Sequence, residues 1–247
     1  MYLQVNGLVI RSVDYKESDK ILTVLTDTAG KLTVNARGAR RRGSRLISAS
    51  ALFAYSEMSL FENRGRYTLD EANTLELFSG LGRDIEKMAA ASYFAEVLGT
   101  EAEEDRGTGA EVLRLALNCL YALSEGVHGV KKTKAAFELR YMAQSGYMPQ
   151  LGRCRVCGGE PRDAGLELAS GTVVCAGCAS PGALSVPLGG SALAAARYVA
   201  SCELKRLLSF SLPDAELETL AFACEKYLLS KLERRFKTLE FYRTLEE

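Results

Sequence analysis

The sequence predicts a multi-domain α+β chain, with a small β-barrel first and then a helical body that carries a metal-bound excursion. Three observations lead there. The first ~80 residues alternate apolar and polar side chains with the period of a strand. From about Leu81 onward, Ala, Leu and Glu dominate, and apolar residues recur at helical spacing. Two Cys-x-x-Cys pairs then interrupt the helical pattern between residues 154 and 178. A chain of 247 residues has room for two or three such units. The expected boundaries are 1–80 for the barrel, 81–150 and 187–247 for two parts of the helical domain, and 151–186 for the cysteine module.

Within the barrel region, LQVNGLVIRSVDY and KILTVLTDTAGKLTVNARGAR are rich in Val, Ile, Leu and Thr. TDTAG supplies a turn, with Gly30 able to take a positive φ, and ENRG (62–65) suits a hairpin. Five short strands joined by polar, Gly-bearing connections predict a closed or nearly closed barrel. Beyond it, one helix should bury Ile85, Met88, Ala89 and Ser92, and a second Val112, Leu113, Ala116, Leu120 and Leu123. A third, KTKAAFELRYMAQSGYMP, should stop at Gly146 and Pro149. After the cysteines the helical pattern returns through 189–210 and 211–245, with Asp214 expected as an N-cap.

Composition excludes some classes. The chain is 47% hydrophobic and 25% charged, so disorder is not expected. No basic lead precedes a long apolar run at the N-terminus, and no stretch nears the ~20 apolar residues that span a bilayer, so a cytoplasmic location is expected. The 31 basic and 31 acidic residues cancel in total but not locally. Residues 31–66 hold eight basic side chains against Glu57 and Glu62, whereas 96–111 hold six acids against Arg106.

Cys154, Cys157, Cys175 and Cys178 follow C-x2-C-x17-C-x2-C, within the range of treble-clef and ribbon-like zinc sites. A Cys-x-x-Cys turn aims two thiolates at one centre, and two such turns close a tetrahedral shell with no open position. One structural zinc is therefore expected, although four thiolates also suit an iron–sulfur cluster. A thioredoxin-like pair would need a βαβ context that is missing. Cys119, Cys202 and Cys224 stand alone in helical patterns and read as small core residues.

Residues 36–46, ARGARRRGSRL, place five arginines on a loop with no acid between Lys31 and Glu57. A solvated loop is the plain alternative, but self-repulsion there favours a polyanion, and guanidinium forks match phosphate. Lys31, Arg37, Arg40, Arg41, Arg42, Arg45, Arg64 and Arg66 form a candidate anion footprint. The aromatics of this region (Tyr2, Tyr15, Phe53, Tyr55, Phe61, Tyr67 and Phe78) are mostly expected in the core, with one or two left to stack on bases.

A barrel ending in VNARGARRRGSRL, a helix reading FELRYMAQSGYMPQL and then CRVCG together resemble the RecO family of bacterial recombination mediators, in the right order over essentially the full chain. The resemblance implies an OB-fold barrel, a helical domain and an inserted zinc module. It implies binding of single- and double-stranded DNA, strand annealing, and work with RecR to load RecA onto strands coated by the single-strand binding protein SSB. The acidic C-terminal tail of SSB is an implied partner, RecF is a further candidate, and the implied location is the cytoplasm at the nucleoid. The resemblance also implies that the basic footprint of residues 31–66 is the DNA surface. By position, the tail would dock near the FELR helix, where Ala135 and Ala136 stand in expected basic places. Lys131, Lys132, Lys134 and Arg140 are the candidates there.

No catalytic set assembles from these residues. His128 is the single histidine and sits in a Gly-flanked loop, and no G-x-x-x-x-G-K-[ST] loop occurs. Glu103, Glu104 and Asp105 read as a solvated acidic linker. The protein is thus expected not to be an enzyme. Two other classes remain: a metal-ribbon transcription or replication factor reading duplex sequence, and a hydrolase with an unrecognised carboxylate site.

Overall fold

The computed structural model describes residues 1–100, 109–179 and 185–246. Five strands come first: β1 (Tyr2–Tyr15), β2 (Asp19–Thr26), β3 (Lys31–Ala36), β4 (Tyr55–Asn63) and β5 (Arg66–Glu76). Helices α1 (Ile85–Leu98), α2 (Gly109–Glu125) and α3 (Val130–Gln144) follow. Strands β6 (Gln150–Cys154), β7 (Ala164–Glu167), β8 (Thr172–Cys175) and β9 (Ser185–Pro187) form the cysteine module. Helices α4 (Gly190–Ser201), α5 (Asp214–Leu232) and α6 (Lys237–Glu246) complete the chain.

The first five strands close into a barrel in the order β1-β2-β3-β5-β4, with β3 and β5 parallel and the other neighbours antiparallel. This is the OB-fold topology. Alternation explains which residues face inward. In β3, Leu32, Val34 and Ala36 are buried; in β4, Ser56, Met58 and Leu60 are. All of these but Ser56 meet Val5, Val9, Leu22, Val24 and Leu69 in one core. β1 is long for a strand, and a register shift between Val9 and Arg11 lets one end pair with β4 and the other with β2. At the β4–β5 tip, Arg64 (φ 51°) and Gly65 (φ 74°) both take left-handed backbone, as a two-residue hairpin turn of type I′ requires.

The chain divides into two compact units, Met1–Ser124 with Phe236–Glu247, and Glu125–Arg235. In the first, α6 packs against α1, and the Glu96 carboxylate accepts from the backbone N–H of Thr238 at 3.0 Å. Helical periodicity over 211–245 reads as continuous, yet Glu233 takes left-handed backbone (φ 50°) and ends α5. The last helix therefore belongs to a different unit from the one before it. The face of α1 also differs from expectation. Ile85 is 64% exposed, while Ala89, Ala90, Tyr93, Phe94, Val97 and Leu98 are buried, because the large rings choose the interior side. Asp214 is the first helical residue behind Pro213 and makes no capping hydrogen bond; its carboxylate lies in the first turn.

In the second unit α3 packs on α5 and α4. It ends as expected: Gly146 takes φ 85°, and Tyr147 donates its N–H to the Met142 carbonyl, closing a Schellman turn. The four short strands pair in the order β6-β8-β7-β9. No helix among the described residues is long and apolar enough to cross a membrane. The acidic residues Glu103, Glu104 and Asp105 lie outside the described residues.

Candidate nucleic-acid surface and metal centre

The arginine arm leaves β3 at Ala36 and runs through consecutive turns to β4. It is tied down at two places. Near its start, Gly38 donates its N–H to Asp19 Oδ1 at 2.8 Å and Arg40 donates its N–H to the Ser18 carbonyl at 2.9 Å. The Gly38 N–H holds the Asp19 carboxyl below its ordinary value, helped by the Ser18 hydroxyl. Further on, Leu46 packs on the barrel core and Ala49 is buried. Gly38 (φ 65°) and Gly43 (φ 77°) therefore serve defined turns of an ordered loop.

The eight basic residues do not act alike. Arg40 Nε pairs with Asp14 Oδ2 at 3.2 Å, and its Nη1 lies 3.4 Å from the Lys16 and Glu17 carbonyls, so Arg40 latches the arm to the β1–β2 hairpin. Lys31 directs Nζ to the Gly99 carbonyl at 2.8 Å. Arg37, Arg41, Arg42, Arg45, Arg64 and Arg66 are exposed, and among the described residues none of their side chains forms an ion pair or hydrogen bond. They are charges aimed at water, with backbone anchors behind them.

The rings that periodicity left undivided separate cleanly. Phe53 and Phe78 are buried, and Tyr55 and Tyr67 are half-buried. Tyr15 is exposed, with the Lys16 ammonium 5.3 Å from its ring centre. Tyr2 and Phe61 face out of β1 and β4 as direct register partners, their ring centres 5.3 Å apart. Both line a groove with Arg37, Asn63, Arg66 and Thr68. Strand parity could have singled them out: Met58 and Leu60 point inward, so Phe61 must point outward.

The cysteines meet because β8 pairs with both β6 and β7, which brings the ends of β6 and β8 together. Cys154 ends β6 and Cys157 lies in the following turn, closed by the Gly158 N–H on the Cys154 carbonyl at 2.9 Å. Cys175 ends β8 and Cys178 sits in the short 3-10 turn after it. All four Sγ atoms lie within 4.8 Å of one another, and Cys157 and Cys175 are 3.9 Å apart. A tetrahedron of metal–sulfur bonds near 2.3 Å needs sulfurs about 3.8 Å apart, so the four thiols fit a metal ion. Backbone N–H groups of Cys157 and Cys175 point at Cys154 and lower its thiol to about 6. Hydrogen bonds to Cys175 and Cys157 instead raise Cys178 to about 12. A bound cation would draw all four sulfurs into the thiolate form, releasing their protons. Arg197 of α4, which sequence reasoning missed, anchors the module by donating Nε to the Leu151 carbonyl at 2.9 Å and Nη1 to Glu160 at 3.1 Å. Cys119 and Cys224 are buried and Cys202 half-buried, as small core residues would be.

The basic residues of the FELR region are engaged within their own unit. Lys131 pairs with Glu218, and Lys132 donates to the Phe210 carbonyl while standing 4.6 Å from the Phe210 ring centre. Arg140 Nη1 donates to the Ala200 carbonyl at 2.7 Å and so caps α4. Lys134 is a correction to the sequence reading, because it is 3% exposed and lies between Glu138 at 2.9 Å and Glu225 at 2.7 Å. Burial alone would depress its ammonium, but the two carboxylates outweigh burial and raise it. His128 is half-buried; burial first, and Lys132 second, lower its imidazole.

A closed five-stranded barrel, helices and four clustered thiols that could hold a metal ion define an OB-fold protein with an added cysteine module. The chain belongs to the recombination protein O family: the model of the family's N-terminal region matches residues 1–78 and that of its C-terminal region residues 82–240. It is similar to the DNA repair protein RecO of Acetivibrio thermocellus, at 29% identity over 99% of this chain and 98% of that protein. The DNA repair protein RecO of Symbiobacterium thermophilum is 31% identical, over 98% of this chain and 96% of that protein. That of Roseiflexus sp. is 32% identical, over 95% of this chain and 83% of its own length.

Proposed function

We propose that this protein is a recombination mediator in DNA repair that binds single- and double-stranded DNA through its barrel and anneals complementary strands. The observation that carries this reading is the ordered arm, which holds Arg37, Arg41, Arg42 and Arg45 exposed, their side chains forming no ion pair or hydrogen bond among the described residues. Arg64 and Arg66 add charge at the β4–β5 hairpin. Guanidiniums held in this way neutralise phosphates and release counterions, which gives affinity without sequence preference. Two strands on one basic surface have their mutual repulsion screened and their local concentration raised, and annealing follows. Arg40 contributes by positioning the arm against Asp14, and Lys31 lies at its root.

The four thiolates hold one structural zinc that fixes the β6–β9 module and takes no part in chemistry. The protein acts through binding energy and not as an enzyme. RecR, the acidic tail of SSB and, indirectly, RecA are its partners, RecF is a further candidate, and its place is the bacterial cytoplasm at the nucleoid. A tail approaching α3 would compete with Glu218 for Lys131 and with the Phe210 carbonyl for Lys132; Lys134 and Arg140 are held inside the unit.

A strand-annealing assay on SSB-coated DNA, with and without the SSB tail, tests the proposal. Annealing that depends on both the tail and the arm arginines is expected. Strong preference for one duplex sequence would indicate a transcription or replication factor, and turnover of DNA with Mg²⁺ would indicate a hydrolase.

A further inference from the structure

We propose that Tyr2 and Phe61 form a stacking platform for unpaired bases, so that this groove, unlike the arm, distinguishes single-stranded DNA from duplex. The inference rests on the DNA-binding reading above. Tyr2 is 58% exposed and Phe61 40%, and the pair stands side by side on the outer face of the barrel. Two large rings on a solvated sheet face leave apolar surface in water that the core does not need, because the barrel interior closes beneath them through Leu60 and Leu69.

The backbone beneath the platform is paired. Tyr2 opens β1, but Met1 ahead of it is held in the ladder, donating its ammonium to the Glu62 carbonyl at 3.0 Å and accepting from the Glu62 N–H at 2.8 Å. The strand ends that carry the rings are therefore paired without a ligand, so stacking a base need not order this backbone.

Charge around the rings sets how a strand would lie. Arg37, at the root of the arm, and Arg66, at the start of β5, border the same groove. Asp70 also lines it, and the neighbouring depression carries Glu57 and Glu71 together with Arg45. Arg37 and Arg66 attract phosphates and Asp70 repels them, so a strand held by the two arginines can lay its bases over the rings. Asn63 and Thr68 offer polar groups without committing to one base. A duplex keeps its bases stacked inside and can present only phosphates here, so it gains from Arg37 and Arg66 but not from the rings.

The test compares a dT oligomer, an abasic oligomer of equal length and a duplex by fluorescence anisotropy. The proteins are the parent, the Tyr2→Leu/Phe61→Leu double variant and Phe61→Tyr. The parent should bind dT over the abasic strand by at least about fivefold, the lower end for one stacked base. The double leucine variant should lose that preference while its duplex affinity stays within about twofold, and Phe61→Tyr should keep it. A second readout uses the absence of tryptophan from the chain. Phe61→Trp places a single reporter whose emission dT should quench and the abasic strand should not. The platform is overturned if the leucine variant retains the dT preference, if dT leaves the tryptophan emission unchanged, or if a variant with the parent's melting temperature loses duplex and dT binding alike. Failure of the parent to bind any oligonucleotide would instead remove the DNA-binding reading itself.

Discussion

Replacing Arg37, Arg41, Arg42 and Arg45 with alanine should flatten the salt dependence of DNA binding by a calculable amount. The choice comes from the structure: these four guanidiniums are exposed and form no ion pair or hydrogen bond among the described residues, while Arg40 is held by Asp14. Each phosphate contact contributes about 0.7 to the log–log salt slope on single strands and about 0.9 on duplex. If all four engage, the slope should fall by about 3 on single strands and by somewhat more on duplex. Removing Arg40 alone should act differently, because it unlatches the arm as well as deleting one charge. Anisotropy titrations from low to moderate salt measure the slopes directly. Parallel lines for parent and fourfold variant would refute the assignment, because a bound guanidinium must contribute counterion release.

Cys154→Ser should abolish binding of one metal ion per chain and loosen hydrogen exchange over β6–β8, while the barrel, which shares no strand with the module, keeps its protection. Metal analysis with exchange mapping checks both outcomes. Lys134→Met should destabilise the second unit by about 3–5 kcal/mol, because Glu138 and Glu225 would lose the cation between them; denaturant unfolding measures it. The arm should also respond to acid. The Asp19 carboxyl sits below its ordinary value of 3.8 when the Gly38 N–H is on it, so its contribution is full above that value and disappears as pH falls through the lowered native one. Exchange protection of the Gly38 amide should persist at pH 4 and fall below it, and Asp19→Ala, which removes the acceptor, should lose it at neutral pH.

Local pattern carried most of the barrel. Alternation in β3 and β4 identified strands and inward faces, and the TDTAG and ENRG turns fell where positive φ was needed, at Gly30, Arg64 and Gly65. The cysteines were legible because metal geometry constrains spacing within a short segment. What stayed hidden depends on contacts between distant segments. The latch from Arg40 to Asp14 joins residues with no local signature, and Lys134 reads as a surface lysine until Glu225, 91 residues away, is seen beside it. The break at Glu233 was invisible because that residue adopts left-handed backbone without the usual glycine. Ile85 faces water because helical periodicity alone does not weigh a single isoleucine against Tyr93 and Phe94.

The most direct measurement is hydrogen exchange on the full chain, with and without a single-stranded oligonucleotide. Protection is expected over residues 37–46 and at the 63–66 hairpin, weakening as salt rises. Protection confined to residues 125–235, or none in dilute buffer, would contradict a polyanion grip by the barrel's arginines.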